Sequence, residues 1–341
     1  MAKLEVIKNL DDRNLERISQ ILKSGNLIAM PTETVYGLAA NALNASAVEK
    51  IFKAKGRPAD NPLIVHVANL NMMKEFVTEI PYNAKKLAAE FWPGPLTIIL
   101  KRSKNVPTIT TGGLDSVALR IPSHPMALKI INYVNMGLAA PSANLSGKPS
   151  PTIAEHCVND LNGKVDVVVD GGCCNYGVES TVISLIEEKP IILRPGVITK
   201  DDIEKVIGEI DISESVFTKL KQNFVAASPG MKYKHYSPAA DVILVKSSIN
   251  LFAEYVNKID DANVAALVFE GEEKYINKKC FTYGKKNNDF SQSKKLFIAL
   301  RNIDSCGVKK VYVRCPNKTG VGLAVYNRLI RAANFNLVTL E

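Results

Sequence analysis

Apolar positions recur with a helical period over residues 11–25. Leu15, Ile18, Ile21 and Leu22 share one face, Asp11 or Asp12 supplies a cap, and Gly25 a stop. The next run, 27–30, is four apolar residues closed by Pro31, which has no amide to give a sheet ladder, so it reads as a buried strand that ends there. The pattern continues with a short helix at 46–55 (Val48, Ile51 and Phe52 inward), a strand at 63–67, and a helix at 82–91 broken by Trp92-Pro93-Gly94-Pro95. Strands at 96–100 and 117–121 follow, the second ended by Pro122; then come a helix at 125–135, strands at 137–140, 165–169, 181–185 and 191–193, and a closing helix at 201–210. Helices and strands alternate loosely, with some strands in direct succession, which predicts an α/β fold with a mixed, twisted sheet and helices packed on it. Periodicity weakens from about 212 to 240. It returns as strand 242–245, helix 249–258, strand 263–269, helix 291–303, strand 308–313 and helix 322–332. That βαβαβα order predicts a small Rossmann-like parallel sheet. The expected organisation is a first unit over 1–211, a linker over 212–240 and a second unit over 241–341.

A chain of 341 residues exceeds what one core usually serves, in keeping with two units. Apolar content of 46% and charged content of 23% are ordinary for a globular protein. No run of about 18 apolar residues predicts a spanning helix, and the N-terminus has no signal-peptide core, so a cytoplasmic location is expected. The net charge of +9 favours anionic ligands, nucleotides and RNA among them, without choosing. None of the six cysteines (Cys157, Cys173, Cys174, Cys280, Cys306, Cys315) forms a C-x-x-C pair, which leaves zinc-finger and thioredoxin readings without support; reduced thiols are expected.

Chemistry concentrates in a few segments. Thr32, Glu33, Thr34 and Tyr36 follow the strand at 27–30, at the carboxyl end where open α/β sheets hold ligands; a strand-to-helix turn capped by Thr32 or Thr34 accounts for the same residues. Lys53-Ala54-Lys55-Gly56-Arg57-Pro58, with Lys50 nearby, suits a polyphosphate or simply complements a helix dipole. Arg120, on a strand among apolar neighbours, can fork onto a carboxylate or serve a structural ion pair. Ala139-Ala140-Pro141-Ser142-Ala143-Asn144-Leu145-Ser146-Gly147 offers small residues and hydroxyls for close ligand approach, or a plain capped turn. Asp170-Gly171-Gly172-Cys173-Cys174-Asn175-Tyr176-Gly177 can present backbone amides to an anion, yet it matches no standard nucleotide fingerprint. Arg194 precedes Pro195-Gly196 at another strand end. His66, alone on an apolar strand, is either a core histidine or a site wall; His124 and His156 read as structural. Ser228-Pro229-Gly230-Met231-Lys232-Tyr233-Lys234-His235-Tyr236-Ser237-Pro238 has the prolines of an extended linker but carries a histidine, two tyrosines and two lysines.

In this order and spacing the segments resemble the threonylcarbamoyl-AMP synthase family of the YrdC/Sua5 type. The resemblance rests on Pro31-Thr32-Glu33-Thr34-Val35-Tyr36-Gly37-Leu38, Lys55-Gly56-Arg57, Ser142-Ala143-Asn144, Gly177-Val178-Glu179-Ser180-Thr181 and Arg194-Pro195-Gly196. The linker ending in Lys234-His235-Tyr236-Ser237-Pro238 extends it to the two-domain form. Ala39-Ala40-Asn41 departs from the family's usual Gly-Ala-Asn. The resemblance implies a YrdC-like first domain and a nucleotidyltransferase that joins L-threonine, bicarbonate (or CO2) and ATP into threonylcarbamoyl-AMP, releasing pyrophosphate, for transfer to tRNA through a downstream complex. By the same resemblance Lys55, Arg57 and Arg194 are the phosphate cations, with Lys50 and Lys53 as helpers. Thr34, His66, Arg120, Ala140 and Ser180 surround threonine. Asn61, Ser116, Ser142, Asn144, Ser150, Arg194 and Tyr233 or Tyr236 contact the nucleotide, with Mg2+ on its phosphates. Residues 228–238 are expected to fold over the cavity. The competing expectation is a non-catalytic RNA-binding module, since ten Lys/Arg and two Asp/Glu lie between Lys274 and Lys310. Direct tRNA contact is an open expectation under either reading.

Overall fold

The computed structural model describes residues 4–219 and 236–341. Tyr233 and most of the expected lid lie outside the described residues.

The first sheet comprises β1 (Glu5–Ile7), β2 (Ile28–Met30), β3 (Gly37–Asn41), β4 (Ile64–His66), β5 (Leu96–Lys101), β6 (Ser116–Arg120), β7 (Leu138–Ala139), β8 (Val167–Val169), β9 (Thr181–Ser184), β10 (Ile191–Arg194) and β11 (Asp211–Ile212). Its order is β1-β8-β2-β3-β7-β4-β6-β5-β9-β10-β11, with parallel pairs such as β4/β6 and β5/β9 beside antiparallel pairs such as β2/β3 and β5/β6. Helices α1 (Asp12–Lys23), α2 (Ala45–Lys55), α3 (Leu70–Met73), α4 (Tyr82–Phe91), α5 (Pro125–Val134), α6 (Ala154–Leu161) and α7 (Lys200–Ile207) cover it. Alternate residues of β2 enter different cores. Leu27 and Ala29 join one cluster with Ile51, Phe52 and Leu87, whereas Ile28 and Met30 join another with Leu15, Ile18 and Ile131. Both faces are buried, which is why these strands read as unbroken apolar runs.

The second sheet, β14-β13-β15-β12-β16, is parallel throughout. It contains β12 (Asp241–Lys246), β13 (Val264–Val268), β14 (Lys279–Thr282), β15 (Lys310–Arg314) and β16 (Leu337–Thr339), with α8 (Ile249–Asn257), α9 (Asp289–Asp304) and α10 (Gly322–Ala332). The parallel sheet expected from βαβαβα is present, with β14 and β16 added at its edges.

The segment after β2 departs from the strand-to-helix expectation. The chain turns straight into β3, which pairs antiparallel with β2 in the register Ile28↔Ala39 and Met30↔Gly37. Gly37-Leu38-Ala39-Ala40-Asn41 has no β-branched residue and no alternation, so it carries no local strand signal.

The two sheets share a core. Val35, Val178, Val197 and Val216 from the first part cluster with Leu296, Phe297, Val325 and Leu329 of the second. Burial of each valine contributes about 1.5–3 kcal/mol. All eleven residues of α10 are buried. Gly177 lies at this junction with φ +74°; a Cβ there would meet the Lys294 Cα at 2.6 Å. The glycine therefore serves close approach of two backbones rather than the anion cradle its segment suggested. No helix among the described residues is long and apolar enough to cross a membrane.

Candidate active site

Pro31 ends β2, and Thr32 organises the turn that follows. Its Oγ1 accepts from the Thr34 and Val35 amides, each at 3.2 Å, and donates to the Val35 carbonyl at 2.6 Å. With that proton committed, the 2.8 Å contact between hydroxyls has Thr34 donating to Thr32. The lone pairs of Thr34 then receive Arg120 Nη1 at 2.9 Å. Tyr36 points elsewhere: its hydroxyl donates to the Gly172 carbonyl at 2.7 Å and accepts from the Gly171 amide at 3.1 Å, so it fixes the loop after β8.

Arg120 ends β6 beside His66, its register partner at the end of β4. Its Nε donates to the Gly94 carbonyl at 3.2 Å, and its Nη2 lies 2.6 Å from a Glu33 carboxylate oxygen. Both partners are almost fully buried. Burial alone would raise the Glu33 pKa, but the Arg120 charge and hydrogen bond outweigh it and hold the carboxyl below its ordinary range. Burial, and then the Arg120 charge, push His66 down to about 3, so its ring is neutral at physiological pH. Its Nδ1 has no partner among the described residues.

The facing wall comes from β9 and β10. A register irregularity between Ile192 and Arg194 re-aims the strand end, and Arg194 donates to Ser180 through Nε to the carbonyl and Nη2 to Oγ, each at 3.1 Å. Thr97 Oγ1 lies 2.8 Å from the same Ser180 Oγ. Burial lowers the Arg194 pKa to about 10, which leaves it charged at neutral pH. Next to Ser180, Glu179 accepts from the Ser150 hydroxyl and pairs with Arg328 of α10 at 2.8 Å.

Between these walls lies a cleft that opens to solvent. Thr34, His66, Arg120, Ala140 and Ser180 line it together with Arg57, Ser142, Arg194 and Tyr236. Nine of the anticipated residues, from the turn and loops and from the ends of β4, β6 and β10, thus meet at one place. Others stand behind it. Lys55 is buried and donates to the carbonyls of Ser142 and Asn144, the latter at 2.6 Å, so it braces the loop that presents Ser142. Burial, followed by the nearby Arg57 charge, lowers its pKa well below the usual lysine value. Asn144 spans that loop by donating to the Leu145 and Lys148 carbonyls, both at 2.8 Å. Asn61 is fully buried with both amide atoms unpartnered among the described residues.

Three anticipated residues lie outside this cleft. Ser116 stands at the far end of β6 from Arg120 and opens on a different surface depression with Lys101 and Lys104. Lys50 donates to Asn26 and Lys53 pairs with Glu49, both at the surface away from the cleft. A strand's length and the outward face of α2 separate these residues from the site, which spacing alone does not reveal. His124 and His156 are structural: each accepts a backbone amide through Nδ1, from Met126 and Thr152 respectively. Glu33, which the motif contained without a role, proves to be the counter-charge of Arg120. Glu179 lines the cleft and Thr97 and Arg328 contact its lining residues without having been anticipated; only Glu179 had a signal, inside the Gly177–Thr181 motif.

Residues 20–196 match the Sua5/YciO/YrdC family model, described as telomere recombination. Residues 198–334 match the model described as threonylcarbamoyl-AMP synthase, C-terminal domain. The threonylcarbamoyl-AMP synthase of Pyrococcus abyssi is 43% identical over 340 residues, 98% of either chain. That of Bacillus subtilis is 42% identical over 337 residues, 96% of this chain and 95% of the relative. The crystal structure of P. abyssi Sua5 complexed with L-threonine has a TM-score of 0.92 at 42% identity, covering 99% of this chain and 100% of that one. Escherichia coli YciO, at 24% identity and a TM-score of 0.52 over 58% of this chain and 97% of its own, shares the fold of the first sheet. With two family models in tandem and full-length relatives above 40% identity, the chain belongs to the Sua5-type threonylcarbamoyl-AMP synthases.

Proposed function

We propose that the cleft condenses L-threonine, bicarbonate or CO2, and ATP into threonylcarbamoyl-AMP. The observation that carries this reading is the convergence of Thr34, His66, Arg120, Ala140 and Ser180 with Arg57, Ser142, Arg194 and Tyr236 on one cleft. The threonine amine adds to CO2 and loses a proton, giving an N-carboxylate. One of its oxygens attacks the α-phosphorus of ATP, and the bond to the β-phosphate oxygen breaks to release pyrophosphate. No covalent enzyme intermediate is needed; the task is to hold two anions together in line and to meet charge as it develops. Arg120 receives the threonine carboxylate, and the neutral His66, with Nδ1 available, accepts from the amino acid's hydroxyl or amine. Arg57 and Arg194 face the phosphates. Lys55 contributes by bracing the Ser142–Asn144 loop, and Asn61, Ser150 and Tyr236 complete the nucleotide side. Glu33 and Glu179 are both engaged by arginines, and no group of three His, Cys, Asp or Glu among the described residues forms a metal cage. In this reading the Mg2+ arrives on the ATP phosphates. The product would pass to a downstream complex that transfers the threonylcarbamoyl group to tRNA.

The test is pyrophosphate release from ATP and Mg2+ with threonine and bicarbonate omitted in turn. Release should require both; release indifferent to both omissions would sink the assignment.

A further inference from the structure

Arg328 is the largest fully buried side chain of the described residues, and it belongs to the second unit. From the middle of α10 it crosses to the first sheet. Its Nε donates to Glu179 Oε2 at 2.8 Å, its Nη2 to the Glu179 carbonyl at 3.3 Å, and its Nη1 to the Pro195 carbonyl at 2.8 Å. The guanidinium carbon also lies 5.6 Å from the Tyr236 ring centroid. Glu179 and Tyr236 line the cleft, Pro195 follows the cleft residue Arg194, and the other carboxylate oxygen of Glu179 accepts from Ser150. Arg328 itself is not part of the lining. One side chain therefore touches three neighbours of the nucleotide wall while none of its contacts reaches Arg120, Thr34 or His66. The neighbouring Asn327 donates to the Val216 carbonyl at 2.9 Å and Arg331 to the Ser215 carbonyl at 2.8 Å, so α10 is anchored on the first part at three successive points.

We infer that Arg328 is a positioning residue for the nucleotide half of the cleft: by neutralising Glu179 and tying it to Pro195 and Tyr236, it sets the geometry of Ser150 and Arg194 from across the domain junction. The inference rests on the proposed reaction for its kinetic readout but not for its binding readout. Charge supports the geometry. Burial alone would protonate Glu179, and the Arg328 charge, then that of Arg194, keeps it ionised. An ionised Glu179 accepts from Ser150 and leaves the serine lone pairs free for a ligand donor or metal-bound water.

The experiment compares wild type, Arg328→Lys and Arg328→Met in the full chain. It measures the KM for ATP and for threonine in the pyrophosphate assay, and ATP affinity by calorimetry without threonine. A residue that merely stabilises the fold lowers the active fraction, reducing apparent kcat with both KM values unmoved. Loss of charge-assisted hydrogen bonds that shape one wall raises the ATP KM and Kd by about tenfold or more in Arg328→Met, with the threonine KM within about twofold. Arg328→Lys keeps the charge, so Glu179 is not left buried and unpaired. It cannot span Glu179 and Pro195 together, and is expected to fold and show a smaller shift of the same kind. Unchanged ATP affinity in Arg328→Lys and in any folded Arg328→Met would overturn the inference, as would equal shifts in both KM values. If wild type lacks threonine-dependent pyrophosphate release, the proposed reaction fails, yet the calorimetric comparison still decides the role of Arg328.

Discussion

Breaking the Glu33–Arg120 pair isolates the electrostatics of the threonine half. At 2.6 Å and an effective dielectric near 20, the charges attract by about 6 kcal/mol. Removing each ion from water costs several kcal/mol, so the pair contributes little net relative to an apolar pair of the same shape. Removing one partner is different, because the survivor keeps its desolvation cost without its counter-charge. Glu33→Gln and Arg120→Met should each lose about 3–5 kcal/mol, whereas the double variant should lose about 2–4 kcal/mol less than the sum. Trp92, the only tryptophan, is a local reporter: it is buried, its indole donates to the Leu96 carbonyl at 2.7 Å, and it sits two residues from the Gly94 carbonyl that binds Arg120. Urea unfolding followed by its fluorescence would give the cycle, and a melting temperature lowered by roughly 6–20 °C in each single variant would accompany it. The pH dependence supplies a sign. Because the folded-state pKa of Glu33 is lowered, its contribution is present above the ordinary carboxylate value and is lost as pH falls through the lowered one. The gap between wild type and Glu33→Gln should be flat above about pH 5 and close below about 4.5. Single variants within about 1 kcal/mol of wild type, or a double variant equal to the sum, would refute this account of the site.

Three further outcomes follow from the geometry. His66, lowered to about 3 from 6.5, takes up its proton in the unfolded chain first, so stability falls as pH drops below 6.5. Between pH 6.5 and 5 it accounts for about 2 kcal/mol, which His66→Gln should abolish, and parallel pH curves for the two proteins would contradict it. Lys55→Met releases the Ser142 and Asn144 carbonyls and should raise the ATP KM by about five- to tenfold with the threonine KM little changed; the reverse pattern would place Lys55 with the amino acid. Gly177→Ala should cost at least about 1–3 kcal/mol by calorimetry, from left-handed strain plus the clash with Lys294. Gly56→Ala, at φ +62° in open space, should cost only about 1 kcal/mol, and equal costs would remove the close-approach argument.

What was legible in the chain was local. α1 carries its Asp11 cap and apolar stripe, α4 stops at Trp92-Pro93, and α5 opens with a proline at its first position, so periodicity and caps place all three within two residues. β3, β14 and β16 were not legible, because a strand buried on both faces or held at a sheet edge owes its form to partners distant in sequence. The same divide runs through the site. The Pro31–Leu38, Lys55–Arg57, Ser142–Asn144, Gly177–Thr181 and Arg194–Gly196 segments were visible through a family resemblance. The contacts of individual residues were not: Lys55, expected at the phosphates, donates to the Ser142 and Asn144 carbonyls, and Ser116, expected at the nucleotide, lines a different depression. Arg328 had no signal at all. Asn327, Arg328 and Arg331 on one helix look like a solvated face, and only the docking of α10 on the first sheet makes them among the most buried polar groups of the molecule.

The cost of losing Arg328 depends on what replaces it. In the intact chain, Arg328→Met leaves the Glu179 carboxylate sealed under α10 with Ser150 as its remaining side-chain donor, the costly case of a buried charge that has lost its ion-pair partner. In a chain ended after residue 219, the whole lid of the second unit is gone. Water then reaches Glu179, and what is lost is the burial of Val35, Val178, Val197 and Val216, at most roughly 1.5–3 kcal/mol each. Glu179→Gln separates the two situations. Added to Arg328→Met in the intact chain, it should recover about 2–4 kcal/mol, because it removes the stranded charge; added to the fragment, it should change stability by less than about 0.5 kcal/mol, because a hydrated carboxylate has little to be relieved of. Equal effects in the two contexts would mean that Glu179 never depended on Arg328 for its charge, and the domain junction would then be apolar packing alone.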